Sequence, residues 1–193
     1  MPHKLGVYWS PAHDPAPELD YIHQLQPPVI RVLTEDVNHI SQAHTAAPEA
    51  VIIPRVWRLD DNRTDHNPGG VYHEINNDPY SAGVLHATKI LGMVDRWRQE
   101  ARERDIPFPH SDQICVGGAN EPNGSCSYPT IAAYAMGFAR QCMMLNHRRV
   151  ALLLLGHGHP ATPPPNVRDW SAFDKLQPML TQGGHWVETH AYN

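Results

Sequence analysis

The sequence predicts an α/β fold of (β/α)8-barrel type that is incomplete, with about six strands present. Three observations carry this expectation. Short β-branched runs alternate with helical periodicities along the whole 193-residue chain, the pattern of a parallel sheet built by right-handed crossovers. Val150 to Leu155 (VALLLL) is apolar without alternation, as expected of a strand covered on both faces. The loops that leave strands are longer and more polar than those that enter them, and in such barrels chemistry sits on the strand-to-helix loops.

Lys4 to Trp9 reads as the first strand, followed by a turn at Ser10 to Pro15. Glu18 to Gln26 is a short helix closed by Pro27-Pro28. Val29 to Leu33 is the second strand, and a helix from Val37 to Ala46 ends before Pro48. Val51 to Trp57 is the third strand; Pro54 inside it lacks the N–H of an ordinary rung. Arg58 to Tyr80 reads as a long loop with many Asp, Asn and Gly residues. Ser81 to Asp105 carries Val84, Leu91, Val94, Trp97 and Ala101 near the 3.6 period, with charges on its other face. Ile114 to Val116 is the fourth strand. The next helix starts at Pro129 and carries Ile131, Tyr134, Ala135, Phe138, Cys142 and Leu145. Val150 to Leu155 is the fifth strand, Asp169 to Leu180 a helix, and His185 to Tyr192 the sixth strand. One domain over residues 1–193 is the simplest organisation.

Composition narrows the function classes. A formal net charge of −5 leaves no basic footprint for nucleic acid. The longest apolar run is too short for a membrane helix. The first residues run straight into a strand with no signal peptide visible, which favours a cytoplasmic location. Three cysteines, Cys115, Cys126 and Cys142, are too scattered for a disulfide framework or zinc knuckle. Cys126 lies beside Glu121 in a loop, but no Cys-His pairing supports a nucleophile. Neither a phosphate-binding loop nor a serine nucleophile elbow is present.

The stretch Gln113 to Asn123 concentrates the chemistry. An apolar strand ends in Gly117-Gly118, and Asn120-Glu121-Pro122 comes next. Glu121 is the candidate catalytic carboxyl, with Asn120 beside it to orient a substrate hydroxyl; the alternative is a turn in which Glu121 caps the next helix. Trp9 and Trp57 each end a strand and either line a sugar-stacking cleft or pack the core. Asp60 and Asp61 bind hydroxyls or belong to a solvated loop. Gly156-His157-Gly158-His159, with His185, His190 and Asp60 or Asp61, suggests a metal-dependent hydrolase as a third reading; against it, the first strand carries no His-x-His pair. No cofactor or resident metal is expected under the leading reading.

Gly118-Ala119-Asn120-Glu121-Pro122 resembles the fourth-strand motif of the clan A glycoside hydrolases, which are (β/α)8 barrels. The resemblance implies that Glu121 is the general acid/base of a retaining glycosidase. His190-Ala191-Tyr192 is similar to the clan's sixth-strand ending, which implies sugar contacts for His190 and Tyr192. Arg31 resembles an arginine near the clan's nucleophile. That nucleophile, a Glu ending a seventh strand, is expected beyond residue 193, because Asn193 comes directly after the sixth. The runner-up is a carbohydrate-binding or interaction domain without catalysis, and either way the expected partner is a carbohydrate. Open edges of buried-type strands invite pairing with another chain. Residues 1–193 alone are therefore expected to self-associate or be unstable; a stable, monodisperse monomer in light scattering would contradict this.

Overall fold

The structure, a computed structural model, describes residues 6–11, 14–56, 71–119, 126–145, 150–157, 170–182 and 186–191. In chain order the elements are β1 (Val7–Trp9), α1 (Ala16–Leu25), β2 (Val29–Leu33), α2 (Val37–Ala46), β3 (Val51–Arg55), α3 (Val71–Asn77), α4 (Pro79–Glu103), β4 (Val116–Gly117), α5 (Tyr128–Met144), β5 (Val150–His157), a 3-10 segment (Trp170–Leu176), α6 (Gln177–Gln182) and β6 (Trp186–Ala191). They divide into two compact units. One comprises residues 1–57 and 92–116, the other residues 58–91 and 117–193.

The incomplete (β/α)8 barrel expected from the sequence is not what forms. The described strands make two three-stranded sheets, ordered β1-β2-β3 and β4-β5-β6. This also removes the barrel on which the likeness to clan A glycoside hydrolases depended. The physical reason lies in β3. Residues of a parallel strand bond alternately to the neighbours on either side. Val51 donates to Pro28 O at 3.0 Å and Thr34 donates to Arg55 O at 2.9 Å, on the β2 side. Ile52 faces the other way: it donates to Gln113 O at 2.7 Å and accepts from Cys115 N–H at 2.9 Å. Two residues on, Pro54 has no N–H for the next rung. Pairing on that side is an isolated bridge, Ile52 with Ile114.

In the first unit β1, β2 and β3 are parallel, with Tyr8 opposite Arg31 and Leu33 opposite Arg55. Alternation places Trp9, Ile30, Val32 and Ile52 on one face, all buried. Trp9 reaches α1 and α2 on that side: its indole N–H donates to Glu18 Oε2 at 2.9 Å, and its ring meets His39 edge-on at 5.8 Å. The C-terminal turns of α4 close here too. Val94, Trp97 and Ala101 are buried, and the Arg104 guanidinium just beyond the helix donates to Asn38 Oδ1 at 2.5 Å.

In the second unit β5 pairs in parallel with β6, with Gly156 opposite His190. Where the sequence reads a long loop to Tyr80, residues Val71–Asn77 form α3. Tyr72 and Ile75, one turn apart, are buried at 4% and 0% exposure, so two apolar anchors suffice for a two-turn helix. Ser127 accepts from the Thr130 N–H and caps α5, whose second residue is Pro129. The segment expected as a fifth helix is split, 3-10 over Trp170–Leu176 and α-helical over Gln177–Gln182.

The helices α4 and α5 meet backbone to backbone. A Cβ added at Gly83 would run into the Tyr134 carbonyl oxygen, and one at Gly137 into the Tyr80 carbonyl oxygen. Both glycines are therefore required by close approach, despite their cost to helix formation. Gly92, also in α4, would meet nothing within 4 Å. Gly83→Ala is expected to destabilise the protein by about 1–3 kcal/mol or more through overpacking. Gly92→Ala should stabilise it by about 0.5–1 kcal/mol through helix propensity. Urea unfolding of the two variants checks both signs.

Candidate functional site

The first unit gathers two arginines on the sheet face opposite Trp9. Tyr8, Arg31, Leu33, Ile53 and Arg55 share that face by register. Arg31 and Arg55 are 3% and 5% exposed. The Arg55 guanidinium donates through Nη1 to the Tyr8 hydroxyl at 2.5 Å and sits 5.6 Å from the centre of the Tyr8 ring. Tyr8 itself is 43% exposed. Both arginines make further interactions, as buried guanidinium groups require to offset lost hydration. Arg31 and Trp9, both predicted from sequence as site residues, thus lie on opposite faces of one sheet. Sequence reasoning misses Arg55 and Tyr8. The available signal is the alternation in Val51–Arg55, which puts Arg55 on the same face as Arg31 of the preceding strand.

Beyond the C-terminal end of β2 a polar turn sets the start of α2. Thr34 Oγ1 accepts from the Asp36 N–H at 2.8 Å and is bonded to His39 Nδ1 at 2.8 Å. Asp36 caps α2, accepting from the Asn38 N–H at 2.9 Å. Burial raises the Asp36 pKa, but the Asn38 backbone and side-chain hydrogen bonds, with His39 and Arg104 nearby, outweigh it and hold the carboxyl below its ordinary value.

The second unit fixes the end of β4. Ala119 is 2% exposed, and its N–H donates to the Tyr134 hydroxyl at 2.8 Å. The same hydroxyl is bonded to His86 Nδ1 at 2.5 Å. His86 is buried at 4% exposure, with Phe138 edge-on at 5.6 Å and Tyr134 tilted at 6.0 Å. A Cβ at Gly118 would lie 3.1 Å from Tyr134 Cε1, so the ring uses the space that glycine leaves. From sequence, Tyr134 reads only as helix packing and His86 gives no signal at all. The available hint is Gly118, since a glycine ending a strand marks close approach by another group.

Asn120, Glu121, Trp57 and Tyr192 lie outside the described residues. His190 lies on β6 at the register position of Gly156. Among the described residues no group of three or more His, Cys, Asp or Glu side chains is arranged to hold a metal; His159, His185, Asp60 and Asp61 of the metal reading lie outside those residues. The three cysteines are buried, and burial pushes the Cys142 thiol up to about 12. Among the described residues no helix is long and apolar enough to cross a membrane.

No protein-family model matches the chain, and no curated protein matches it significantly. Membership of the clan A glycoside hydrolases, suggested by the Asn120-Glu121-Pro122 motif, is therefore corrected on two counts: the barrel is absent from the described structure, and no family match supports it.

The Asp36 cap has a pH signature. Its folded-state pKa is depressed, so its contribution is present above the unfolded value, about 3.9, and is lost as pH falls through the folded value. Asp36→Ala is expected to cost about 0.5–2 kcal/mol at pH 7. The difference from wild type should shrink steadily below about pH 4; chemical unfolding at pH 7, 4 and 3 would show it.

Proposed function

We propose that the chain hydrolyses O-glycosidic bonds, with Glu121 as general acid/base and Asn120, His190 and Tyr192 as sugar-contacting residues. One observation carries the reading. The backbone that delivers Asn120-Glu121 is anchored at Ala119, the preceding residue, by burial and by the Tyr134 hydroxyl. In sheets of parallel strands, ligands bind beyond the carboxyl ends of the strands, and acid/base chemistry needs a carboxyl held on a rigid support. An amide next to a carboxyl suits a hydroxyl-rich substrate, because the amide both donates and accepts while the acid works on the glycosidic oxygen.

In this reading Glu121 protonates the leaving oxygen and then takes a proton from the incoming water. A carboxyl that starts protonated near neutral pH needs surroundings that raise its pKa. The retaining form requires a second carboxyl about 5–5.5 Å away to attack the anomeric carbon.

The test is Glu121→Gln in the protein containing these 193 residues, assayed with aryl glycosides of glucose, galactose, mannose and xylose in both anomers. Turnover of substrates with poor leaving groups should fall by about 10²–10⁴. Unchanged turnover would sink the proposal. A sugar that raises the melting temperature of the wild type without being cleaved would point instead to a carbohydrate-binding protein.

A further inference from the structure

We propose that the His110–Gln113 turn is an acid-released latch: it stays on the end of α2 while the His44 imidazole is uncharged and lets go when that imidazole takes a second proton. All of its parts lie in the first unit. The turn lies between α4 and β4, and Gln113 ties it down. The Gln113 side-chain amide donates to Pro48 O at 2.5 Å, and its side-chain oxygen accepts from the His110 N–H at 3.2 Å. The Gln113 N–H donates to His110 O at 2.9 Å, and the Gln113 carbonyl accepts from the Ile52 N–H at 2.7 Å. One residue thus closes the turn on itself, fastens it beside the end of α2 and starts the bridge from β3 to Ile114.

His44 lies one turn before Pro48, in the last turn of α2. Its Nδ1 is enclosed and has no hydrogen-bond partner among the described residues. A neutral imidazole with its proton on Nε2 leaves Nδ1 as a bare acceptor. The second proton turns Nδ1 into a charged donor with nothing to accept it, which costs more than an unpaired neutral group. A helix C-terminus ordinarily favours such a cation. Here burial, with the His110 imidazole nearby, holds the His44 pKa below its ordinary value, although Glu49 pulls the other way.

The remaining titratable groups belong to the elements packed around α2, which are α1, β2 and β3. On α1, His23 is bonded through Nδ1 to Ala46 O, Glu18 takes the Trp9 indole N–H, and Asp20 and Tyr21 are exposed. Arg31 and Arg55 stand on the opposite face of the sheet. Asp36, His39 and Arg104 gather at the first turn of α2, at the other end of the helix from His44. Asp112 shares the turn with His110 and is exposed. Because the closed state depresses the His44 pKa, it binds fewer protons than the open one. Closure is therefore undiminished above the ordinary imidazole value, about 6.5, and is lost as pH falls through the lower folded value.

The experiment reads native-state amide exchange at Ile52 and Cys115, whose N–H groups bond across the bridge from β3. It runs from about pH 7.5 to about pH 5, spanning the imidazole range. Each rate is divided by the intrinsic rate at that pH to give an opening constant. Opening at both amides should rise as pH falls, by up to about tenfold per pH unit for one proton. It should stay flat in dilute urea, because a turn exposes little surface. His44→Leu should abolish the rise. His110→Gln removes the like charge and should weaken it, whereas Glu49→Gln removes the attraction and should enlarge it. His110 and Glu49 are exposed, so these two variants decide the matter even if His44→Leu does not fold. No rise in wild type, a rise that survives in His44→Leu, or equal responses of His110→Gln and Glu49→Gln overturns the latch. So does an opening as steep in urea as global unfolding, which would mean that the turn never lets go alone.

Discussion

The close approach of α4 and α5 is the constraint on which the second unit depends. Two glycines, Gly83 and Gly137, let the backbones meet where any side chain would collide with a carbonyl oxygen. Cores are packed at near-crystalline density, so such an approach fixes the partners rather than cushioning them. It locks the turn of α5 that carries Tyr134 and Phe138, and with it the ring cluster completed by His86. The Tyr134 hydroxyl then falls within reach of the β4 end. A backbone contact between helices is thus converted into the placement of a strand terminus.

The first unit is organised by alternation instead. Each β-strand divides its residues between a helix-facing side, where Trp9 is pinned by Glu18 and His39, and a side bearing Arg31, Arg55 and Tyr8. Putting two guanidinium groups on a sheet face is costly unless each finds partners. Arginine cannot shed its charge to escape that cost, so the partners are part of the structure of this face. The Tyr8 hydroxyl is one of them.

The element order is legible in the sequence because it depends on local period and on turn residues. The long amphipathic helix and the described strands overlap the runs where those signals place them, except that β4 shares only Val116 with its expected run. What fails is the assembly of strands into one barrel. That depends on whether each strand can offer a complete row of donors to both neighbours, and the single missing N–H of Pro54 decides it at β3. The proline is visible, but its consequence depends on which neighbour residue 54 faces, and that is fixed by register rather than composition. Helix α3 is hidden for a different reason: Gly69-Gly70 and Asn76-Asn77-Asp78 flank it with loop-type residues, and only Tyr72 and Ile75 anchor it. Around the sheet of the first unit, the place of Arg31 within β2 is legible from the sequence. Tyr134 and His86 are not, because a hydroxyl meeting an imidazole 48 residues away in sequence leaves no periodic trace.

The burial of the cysteines gives the protein a built-in chemical clock. The chain holds three cysteines, all buried in the folded state, and it is the exposed thiolate that reacts with an alkylating or disulfide reagent. Labelling therefore has to wait for opening of the structure around each thiol, and its rate counts opening events. Cys115 keeps time for the first unit, and Cys126 and Cys142 for the second. Mass spectrometry of partially labelled protein would separate the two rates without any introduced probe.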